Sequence, residues 1–206
     1  MLIAGAGGHS LEVLDVLLAL NYPEKEIFLF DDVNIETSFI QSKFKILHSE
    51  EEIHYELGLK FPFCLGVGSP ENRKLLFNKL KNIGGIHKGI RAKYSFRSTF
   101  IQSSNFDNMM FSFISNNVII GKGVLINTGA KIHHEAEIGD FTEIGPSANI
   151  LGRVKIGHSC QIGSNVTILP NLNIGNNVII GAGAVVTKNF PNDTMGYGVP
   201  ANIIIK

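Results

Sequence analysis

The chain has little cysteine and no excess of charge of either sign. Only two cysteines occur among its 206 residues, which excludes a disulfide scaffold. Cys64 lies in an apolar run and Cys160 takes a position otherwise filled by small apolar residues, so we expect both to pack rather than react. Lysine plus arginine and aspartate plus glutamate number 18 each. Without a basic run or an acidic tail, we expect no nucleic-acid partner.

Long apolar segments are also missing. No stretch approaches the roughly 20 apolar residues of a transmembrane helix, and no basic segment precedes an apolar one at the beginning. We therefore expect no membrane partner, a cytoplasmic location and small-molecule ligands. The hydrophobic fraction of 44% is ordinary for a globular chain with room for one large or two small domains.

The second half carries an internal repeat of six residues. A period of six fits neither an α-helix nor an ordinary amphipathic strand, but it suits a short flat strand followed by a corner. Three such units would close a triangular coil of eighteen residues, and coils would stack at about the 4.8 Å spacing of paired strands. The repeat is marked by twelve isoleucines, Ile114, Ile120, Ile126, Ile132, Ile138, Ile144, Ile150, Ile156, Ile162, Ile168, Ile174 and Ile180.

Burial of one isoleucine per six residues falls well short of offsetting the conformational entropy of ordering the whole repeat. Ladder hydrogen bonds and association must supply the remainder. We therefore expect a homo-oligomer, although this argument does not give its order.

The first half alternates strands and helices. Residues 1–4 predict a strand that runs into a glycine turn and an amphipathic helix, residues 26–30 a second strand, and residues 61–67 a third. This is the βαβ pattern of a small doubly wound domain, in which ligands lie beyond the carboxyl ends of the strands. The glycine turn departs from G-x-G-x-x-G because Ser10 replaces the third glycine, and the domain has room for only half a dinucleotide site. Its candidate ligand-binding residues are Gly7, Gly8, Asp31, Asp32 and Gly68.

Together the two halves resemble the sugar O-/N-acyltransferase family of hexapeptide-repeat transferases, which includes sialic acid O-acetyltransferases and N-acetyltransferases of UDP-4-amino sugars and GDP-perosamine. The resemblance rests on residues 5–9 (GAGGH), 28–32 (FLFDD), 127–141 (NTGAKIHHEAEIGDF) and 196–201 (GYGVPA). It implies an α/β plus β-solenoid fold: a Rossmann-like domain over residues 1–88 and a left-handed parallel β-helix over residues 89–206. The hand comes from the resemblance alone, since strand crossovers favour the right-handed form.

The resemblance also implies a function. The expected activity is transfer of acetyl from acetyl-CoA to the amino group of a nucleotide-linked sugar in bacterial surface glycan biosynthesis, by a homotrimer that needs no metal. The main alternative is O-acetylation of a sialic-acid-like sugar. The implied substrate-binding residues are Gly7, Gly8, His9, Asp31, Asp32, Gly68 and Asn127, and the implied acetyl-CoA-binding residues are Glu143, Ser164, Gly181 and Ala182.

The implied catalytic residues are His134 as the general base, Glu135 as the carboxylate that orients it and raises its basicity, and Gly152. A neutral imidazole suits removal of a proton from a sugar ammonium or hydroxyl near pH 7. With eighteen residues in a coil, Gly152 is expected to lie directly over His134, where its N–H can donate to the thioester oxyanion.

Other residues and functions qualify this interpretation. Glu143 stands where the family commonly has a second histidine, so the family contact with CoA does not carry over directly. His133 and His158 are the remaining histidines of the repeat; we expect His158 to lie at the surface, on another face. A zinc carbonic anhydrase needs three converging histidines, which His133, His134 and His158 are not spaced to provide. A solenoid without catalytic activity is the remaining alternative.

Overall fold

The computed structural model describes residues 1–205. Its first part is a six-stranded sheet in the order β3-β4-β2-β1-β5-β6, in which all neighbours run parallel except the β3–β4 pair. The strands are β1 Leu2–Ala4, β2 Phe28–Phe30, β3 Phe39–Ile40, β4 Phe44–Leu47, β5 Phe61–Leu65 and β6 Gly85–His87. The helices are α1 Gly8–Ala19, α2 Glu50–Leu57 and α3 Pro70–Asn82, with a 3₁₀ turn at Glu24–Glu26.

Local sequence explains where the helices begin. At α3 the Ser69 hydroxyl accepts from the amide N–H of Asn72, and Pro70 occupies the first turn, where a missing N–H costs nothing. At α2 the Ser49 hydroxyl accepts from the amide of Glu52 at 3.2 Å. Helix α1 starts from the glycine turn with no side-chain cap, which leaves its first N–H groups facing the carboxyl edge of the sheet.

The second part is a parallel β-helix of two-residue strands that ends in an antiparallel pair of four-residue strands, β23 and β24. Every third strand shares a face: β7, β10, β13, β16, β19 and β22 form face one; β8, β11, β14, β17 and β20 form face two; the others form face three. The strands are β7 Phe96–Arg97, β8 Gln102–Ser103, β9 Asp107–Asn108, β10 Phe113–Ile114, β11 Ile119–Ile120, β12 Leu125–Ile126, β13 Lys131–Ile132, β14 Glu137–Ile138, β15 Glu143–Ile144, β16 Asn149–Ile150, β17 Lys155–Ile156, β18 Gln161–Ile162, β19 Thr167–Ile168, β20 Asn173–Ile174, β21 Ile179–Ile180, β22 Val185–Val186, β23 Thr194–Tyr197 and β24 Asn202–Ile205.

The isoleucine ladder fills the interior in the predicted way. Ile132 pairs with Ile150, and Ile150 with Ile168, so successive coils are offset by eighteen residues. All twelve ladder isoleucines are at least 96% buried, and this continuous apolar core explains why the prism holds together without helices. The expected fold class, a small Rossmann-like domain followed by a left-handed β-helix, is confirmed.

The β-helix begins one coil earlier than the isoleucines indicate. Arg97, Ser103 and Asn108 pair with Ile114, Ile120 and Ile126 and take the ladder positions of that first coil. Main-chain ladders require no particular side chain, so this coil forms without the repeat that would reveal it. The boundary between the two domains, predicted after residue 88, falls just beyond β6 and stays a prediction.

The first domain packs against face three of the β-helix and its edge with face two. The Arg73 side chain, fully buried, forms an ion pair with Asp107 and donates from Nε to the carbonyl of Gly123 at 2.8 Å and from Nη1 to that of Val67 at 2.7 Å. Buried Phe141 packs with the apolar residues around α3. A single guanidinium thus fixes α3, the segment after β5 and the first coils relative to one another.

Helices α1, α2 and α3, all within residues 1–205, are too short or too polar to cross a membrane.

Candidate active site

The corner after β13 joins face one to face two and carries His134 and Glu135. Glu135 adopts a left-handed backbone conformation with φ of 60°, which turns its carboxylate back beside the preceding imidazole. His134 Nδ1 lies 2.9 Å from Glu135 Oε2. Because an ionised carboxylate only accepts hydrogen bonds, Nδ1 carries the proton and Nε2 keeps its lone pair free to take another.

A cationic side chain holds the same carboxylate from the coil above. Arg153 lies one coil above Glu135, eighteen residues on, and its Nη2 is 3.1 Å from Oε2. The hydrogen bonds from His134 and then from Arg153 lower the pKa of Glu135 below its usual value. The sequence interpretation missed Arg153, although the eighteen-residue spacing that placed Gly152 over His134 also places Arg153 over Glu135.

Gly152 lies directly over the imidazole, as the coil length predicts. A Cβ built on Gly152 would lie 2.6 Å from Cε1 of His134 and 2.7 Å from its Nε2, so only glycine leaves room for the ring. The N–H groups of Leu151 and Arg153 donate to Ile168 and His134, whereas that of Gly152 donates to no group within residues 1–205. This N–H is therefore free to donate to a ligand beside Nε2.

The other two histidines of the repeat have different surroundings. The ring of His133 lies 6.2 Å from that of Phe113 on face one, and burial lowers its pKa. His158 is exposed at the corner between faces two and three, where its amide N–H donates to Asn176 Oδ1 at 3.0 Å. Across residues 1–205, no three His, Cys, Asp or Glu side chains group closely enough to hold a metal ion.

A cavity of about 210 Å³ lies at the carboxyl edge of the first domain's sheet. It brings together three predicted substrate-binding residues, Gly7, Asp31 and Asp32. Asp31 Oδ1 accepts from the amides of Val33 and Asn34 at 3.0 and 3.1 Å, and Asp32 forms an ion pair with Lys79. The cavity is lined by Gly5, Ala6, Gly7, Phe30, Asp31, Asp32, Val33, Val67, Asn72, Leu75 and Leu76.

Gly8, His9 and Gly68, also predicted to bind substrate, are not among those lining residues. Gly8 and His9 form the first turn of α1, where His9 Nδ1 lies 2.9 Å from Glu12 Oε2. Gly68 follows the lining residue Val67 and faces the β-helix rather than the cavity.

The predicted residues Gly68, Asn127 and Glu143 meet where the first domain touches face three. Glu143 Oε1 lies 3.3 Å from the position that a Cβ on Gly68 would occupy. The side chains of Asn127 and Gln161 are hydrogen-bonded to the Glu143 carboxylate. Burial raises the pKa of Glu143, an effect that exceeds the opposing influence of the Arg73 charge.

The remaining predicted acetyl-CoA residues lie at the corner between faces three and one. Ser164 and Ala182 stack there one coil apart, and the amide of Gly183 donates to the Ser164 carbonyl at 2.8 Å. A Cβ on Gly181 would lie 3.1 Å from Cδ1 of Tyr197. Glu143, the fourth predicted acetyl-CoA residue, lies on face three, but its side chain points to Gly68 and away from this corner.

The His134 corner and the cavity of the first domain lie on different sides of the prism of one chain. The first domain covers face three, whereas the His134 corner joins the other two faces.

Comparisons with known proteins agree with this architecture. Residues 1–80 match the PglD N-terminal domain family, and residues 153–188 match the bacterial transferase hexapeptide family. The resemblance to hexapeptide-repeat transferases is confirmed.

Solved structures share the whole hexapeptide-repeat fold and its appended domain. One is a variant of perosamine N-acetyltransferase from Caulobacter crescentus in which a histidine is replaced by asparagine, in complex with CoA and GDP-perosamine. It has a TM-score of 0.89 and 23% sequence identity, and the alignment covers 98% of this chain and 95% of that one. The acetyltransferase domain of PglB from Neisseria gonorrhoeae, in complex with acetyl coenzyme A, has a TM-score of 0.90 and 23% sequence identity, and the alignment covers 98% of each chain. WeeI from Acinetobacter baumannii has a TM-score of 0.87 and 24% sequence identity, and the alignment covers 98% of each chain.

Proposed function

We propose that this protein transfers acetyl from acetyl-CoA to the amino group of a nucleotide-linked amino sugar, in bacterial surface glycan biosynthesis. The observation that carries the proposal is the corner at which Glu135 accepts the Nδ1 proton of His134 while Gly152, whose N–H donates to no group of residues 1–205, lies directly over the ring. Structures of the same fold were solved with CoA and GDP-perosamine and with acetyl coenzyme A, which supports both substrate classes.

The corner suits acyl transfer to an amine. His134 Nε2 takes a proton from the amino group as nitrogen attacks the thioester carbonyl, and the carbonyl oxygen becomes an oxyanion. The N–H of Gly152 donates to that oxyanion, a contact worth about 10²–10³ in rate in comparable sites. Collapse of the tetrahedral intermediate breaks the carbon–sulfur bond, and the proton on His134 passes to the departing thiolate, so that CoA leaves as a thiol.

The first domain, residues 1–88, is proposed to hold the nucleotide portion. The cavity beside Gly7 and the α1 N-terminus suits a phosphate, and Asp31 and Asp32 suit ribose hydroxyls. Gly8, His9, Gly68 and Asn127 complete the proposed sugar-nucleotide site.

Acetyl-CoA is proposed to lie along the β-helix, residues 89–206, past Ser164, Gly181 and Ala182, in a groove between neighbouring β-helices.

We further propose that the active site forms between subunits of a homotrimer. Because the cavity and His134 of one chain lie on different sides of the prism, a sugar held by one first domain needs the His134 corner of a neighbour. We propose a closed trimer in the cytoplasm as the working form.

An acceptor panel tests the proposal. The protein is incubated with acetyl-CoA and UDP-, GDP- or CMP-linked sugars while free thiol is measured. Thiol release with at least one nucleotide-linked amino sugar is the expected result. Turnover with free or CMP-linked sialic acids alone would replace N-acetylation by O-acetylation, and no turnover with any sugar would contradict an acetyltransferase.

A further inference from the structure

Glu143 has a carboxylate that forms no salt bridge with a cationic side chain of residues 1–205, although the contact between the two domains shields it from solvent. It projects from face three into the contact with the first domain, where its pKa is raised by burial. Among residues 1–205 no lysine, arginine or histidine forms a salt bridge with it, since its hydrogen-bond partners are the neutral amides of Asn127 and Gln161. Glu143 is half-buried, and a carboxylate that accepts from two neutral amides keeps acceptor capacity for a further donor or cation.

The nearest cation is committed elsewhere. Arg73 influences Glu143 through its charge, but its donor groups are directed to Asp107 and to the carbonyls of Gly123, Val67 and Val124. The guanidinium therefore fixes the surrounding backbone and leaves the carboxylate of Glu143 to be completed by another group.

The carboxylate lies against the segment that follows β5, next to the cavity of the first domain. Val67 lines that cavity, and Gly68, the next residue, lies against Glu143 Oε1. Because Gly68 has no side chain, nothing from this residue separates the carboxylate from the edge of the sheet where ligands of such domains bind. The pyrophosphate of a nucleotide or of CoA would be repelled by Glu143, so the group that meets it must be neutral or cationic.

We propose that Glu143 binds the ammonium group of the acceptor sugar, which releases one proton to solvent before the neutral amine attacks, and that Glu143 thereby selects amino sugars over their hydroxyl counterparts. This inference rests on the proposed function and deepens it. An ammonium supplies both the positive charge and the donor that the carboxylate lacks, and the resulting charge-assisted hydrogen bond is roughly twice as strong as a neutral one. A sugar hydroxyl supplies only the donor.

The test compares Glu143→Gln with the unaltered protein on matched acceptors. GDP-perosamine and UDP-4-amino-4,6-dideoxyglucose are the amine probes, and GDP-rhamnose and UDP-6-deoxyglucose, which carry a hydroxyl in place of the amine, are their counterparts. Glutamine keeps the size of glutamate and one acceptor oxygen, and it removes the charge by replacing the other oxygen with an NH2 donor. We expect KM for the amine probe to rise about tenfold or more, the Kd of the hydroxyl counterpart to change less than about twofold, and KM for acetyl-CoA to stay constant.

Glu137→Gln is the matched control. Glu137 takes the same place in its hexapeptide as Glu143, but lies on face two, where its Oε1 is paired with Lys155 Nζ at 2.8 Å. Glu137→Gln should leave unchanged the KM for the amine probe, the Kd of the hydroxyl counterpart and the KM for acetyl-CoA. Thermal unfolding of both variants checks that the fold is intact.

The two failures are distinguishable. If the unaltered protein acetylates neither amine probe and no other amino sugar, the proposed function itself fails. If it acetylates one of them and Glu143→Gln raises KM for acetyl-CoA, weakens both acceptors equally or changes neither, only the role of Glu143 is overturned.

Discussion

Two corners of the β-helix carry a histidine at the same place in the hexapeptide, yet their surroundings differ. His134 is followed by Glu135 and lies under Gly152, whereas His158 is followed by Ser159 and lies under Asn176. The first ring has a carboxylate at Nδ1 and open backbone above it. The second histidine presents its own amide N–H to an asparagine side chain and its ring to solvent.

The difference shows that a hexapeptide position does not define a site. What defines it is the residue that follows and the residue eighteen positions later, because the coil brings those three into contact. Chemistry at one corner therefore depends on two segments that are separate in sequence and adjacent in space.

The largest expected effect is the loss of the imidazole at one corner but not the other. His134→Ala should lower kcat by about 10²–10⁴, the usual contribution of a positioned general base, while His158→Ala should leave kcat unchanged. Steady-state kinetics on an acceptor from the panel measure both. Equal effects at the two corners would show that neither ring acts as the base.

A smaller effect is expected from adding one methyl group above His134. Gly152→Ala places a Cβ within 2.7 Å of the ring atoms Cε1 and Nε2, so the imidazole must move. A displacement of about 1 Å can cost on the order of 10²-fold in rate, and crowding of this kind destabilises by about 1–3 kcal/mol. Thermal unfolding and kcat are measured together.

The control for this steric effect is the double variant that combines Gly152→Ala with His134→Ala. Removing the ring should recover the stability lost in Gly152→Ala, because the collision disappears. Ala182 has a Cβ at the same hexapeptide position, so the position itself accepts a side chain. A stability loss that persists without the ring would trace the crowding to another neighbour.

The smallest effect concerns two ion pairs that join neighbouring coils, Arg153 with Glu135 and Lys155 with Glu137. Arg153→Ala removes the second partner of Glu135, so the pKa of that carboxyl should rise toward its usual value. The carboxylate that accepts the Nδ1 proton is then lost at a higher pH, which shifts the acid limb of the kcat/KM profile to higher pH, with a loss of a few fold in kcat near neutrality.

Lys155→Ala provides the comparison for Arg153. It removes an equivalent pair with Glu137, also eighteen residues apart, that touches no histidine. Its pH profile should match that of the unaltered protein, whereas Arg153→Lys should restore part of the profile. An unchanged acid limb in Arg153→Ala would make the guanidinium a surface charge without influence on the base.

Much of this architecture could be predicted because a ladder repeats the same physical requirement at each step. Twelve isoleucines gave the coil length, and the coil length gave the contact between His134 and Gly152. Strands β1, β2 and β5 followed from apolar runs, and helix α1 followed from the glycine turn and the amphipathic segment after it.

Contacts between distant segments could not be predicted in the same way. The first coil carries Arg97, Ser103 and Asn108 at the ladder positions, so no period marks it. The buried pair of Arg73 and Asp107 joins residues 34 positions apart, and no local pattern connects them. The orientation of Glu143 toward Gly68 depends on how the two domains pack, which is likewise absent from the repeat.

The eighteen-residue offset makes the active corner sensitive to chain length in a discontinuous way. One residue inserted between Glu135 and Gly152 would carry Gly152 and Arg153 away from their partners together, although every side chain remained present. A whole additional coil inserted after the coil of Arg153 would lengthen the prism by one layer and leave the corner as it is. Evolution can therefore add or remove layers of this scaffold in units of eighteen residues, while the interval from residue 134 to residue 152 stays constant.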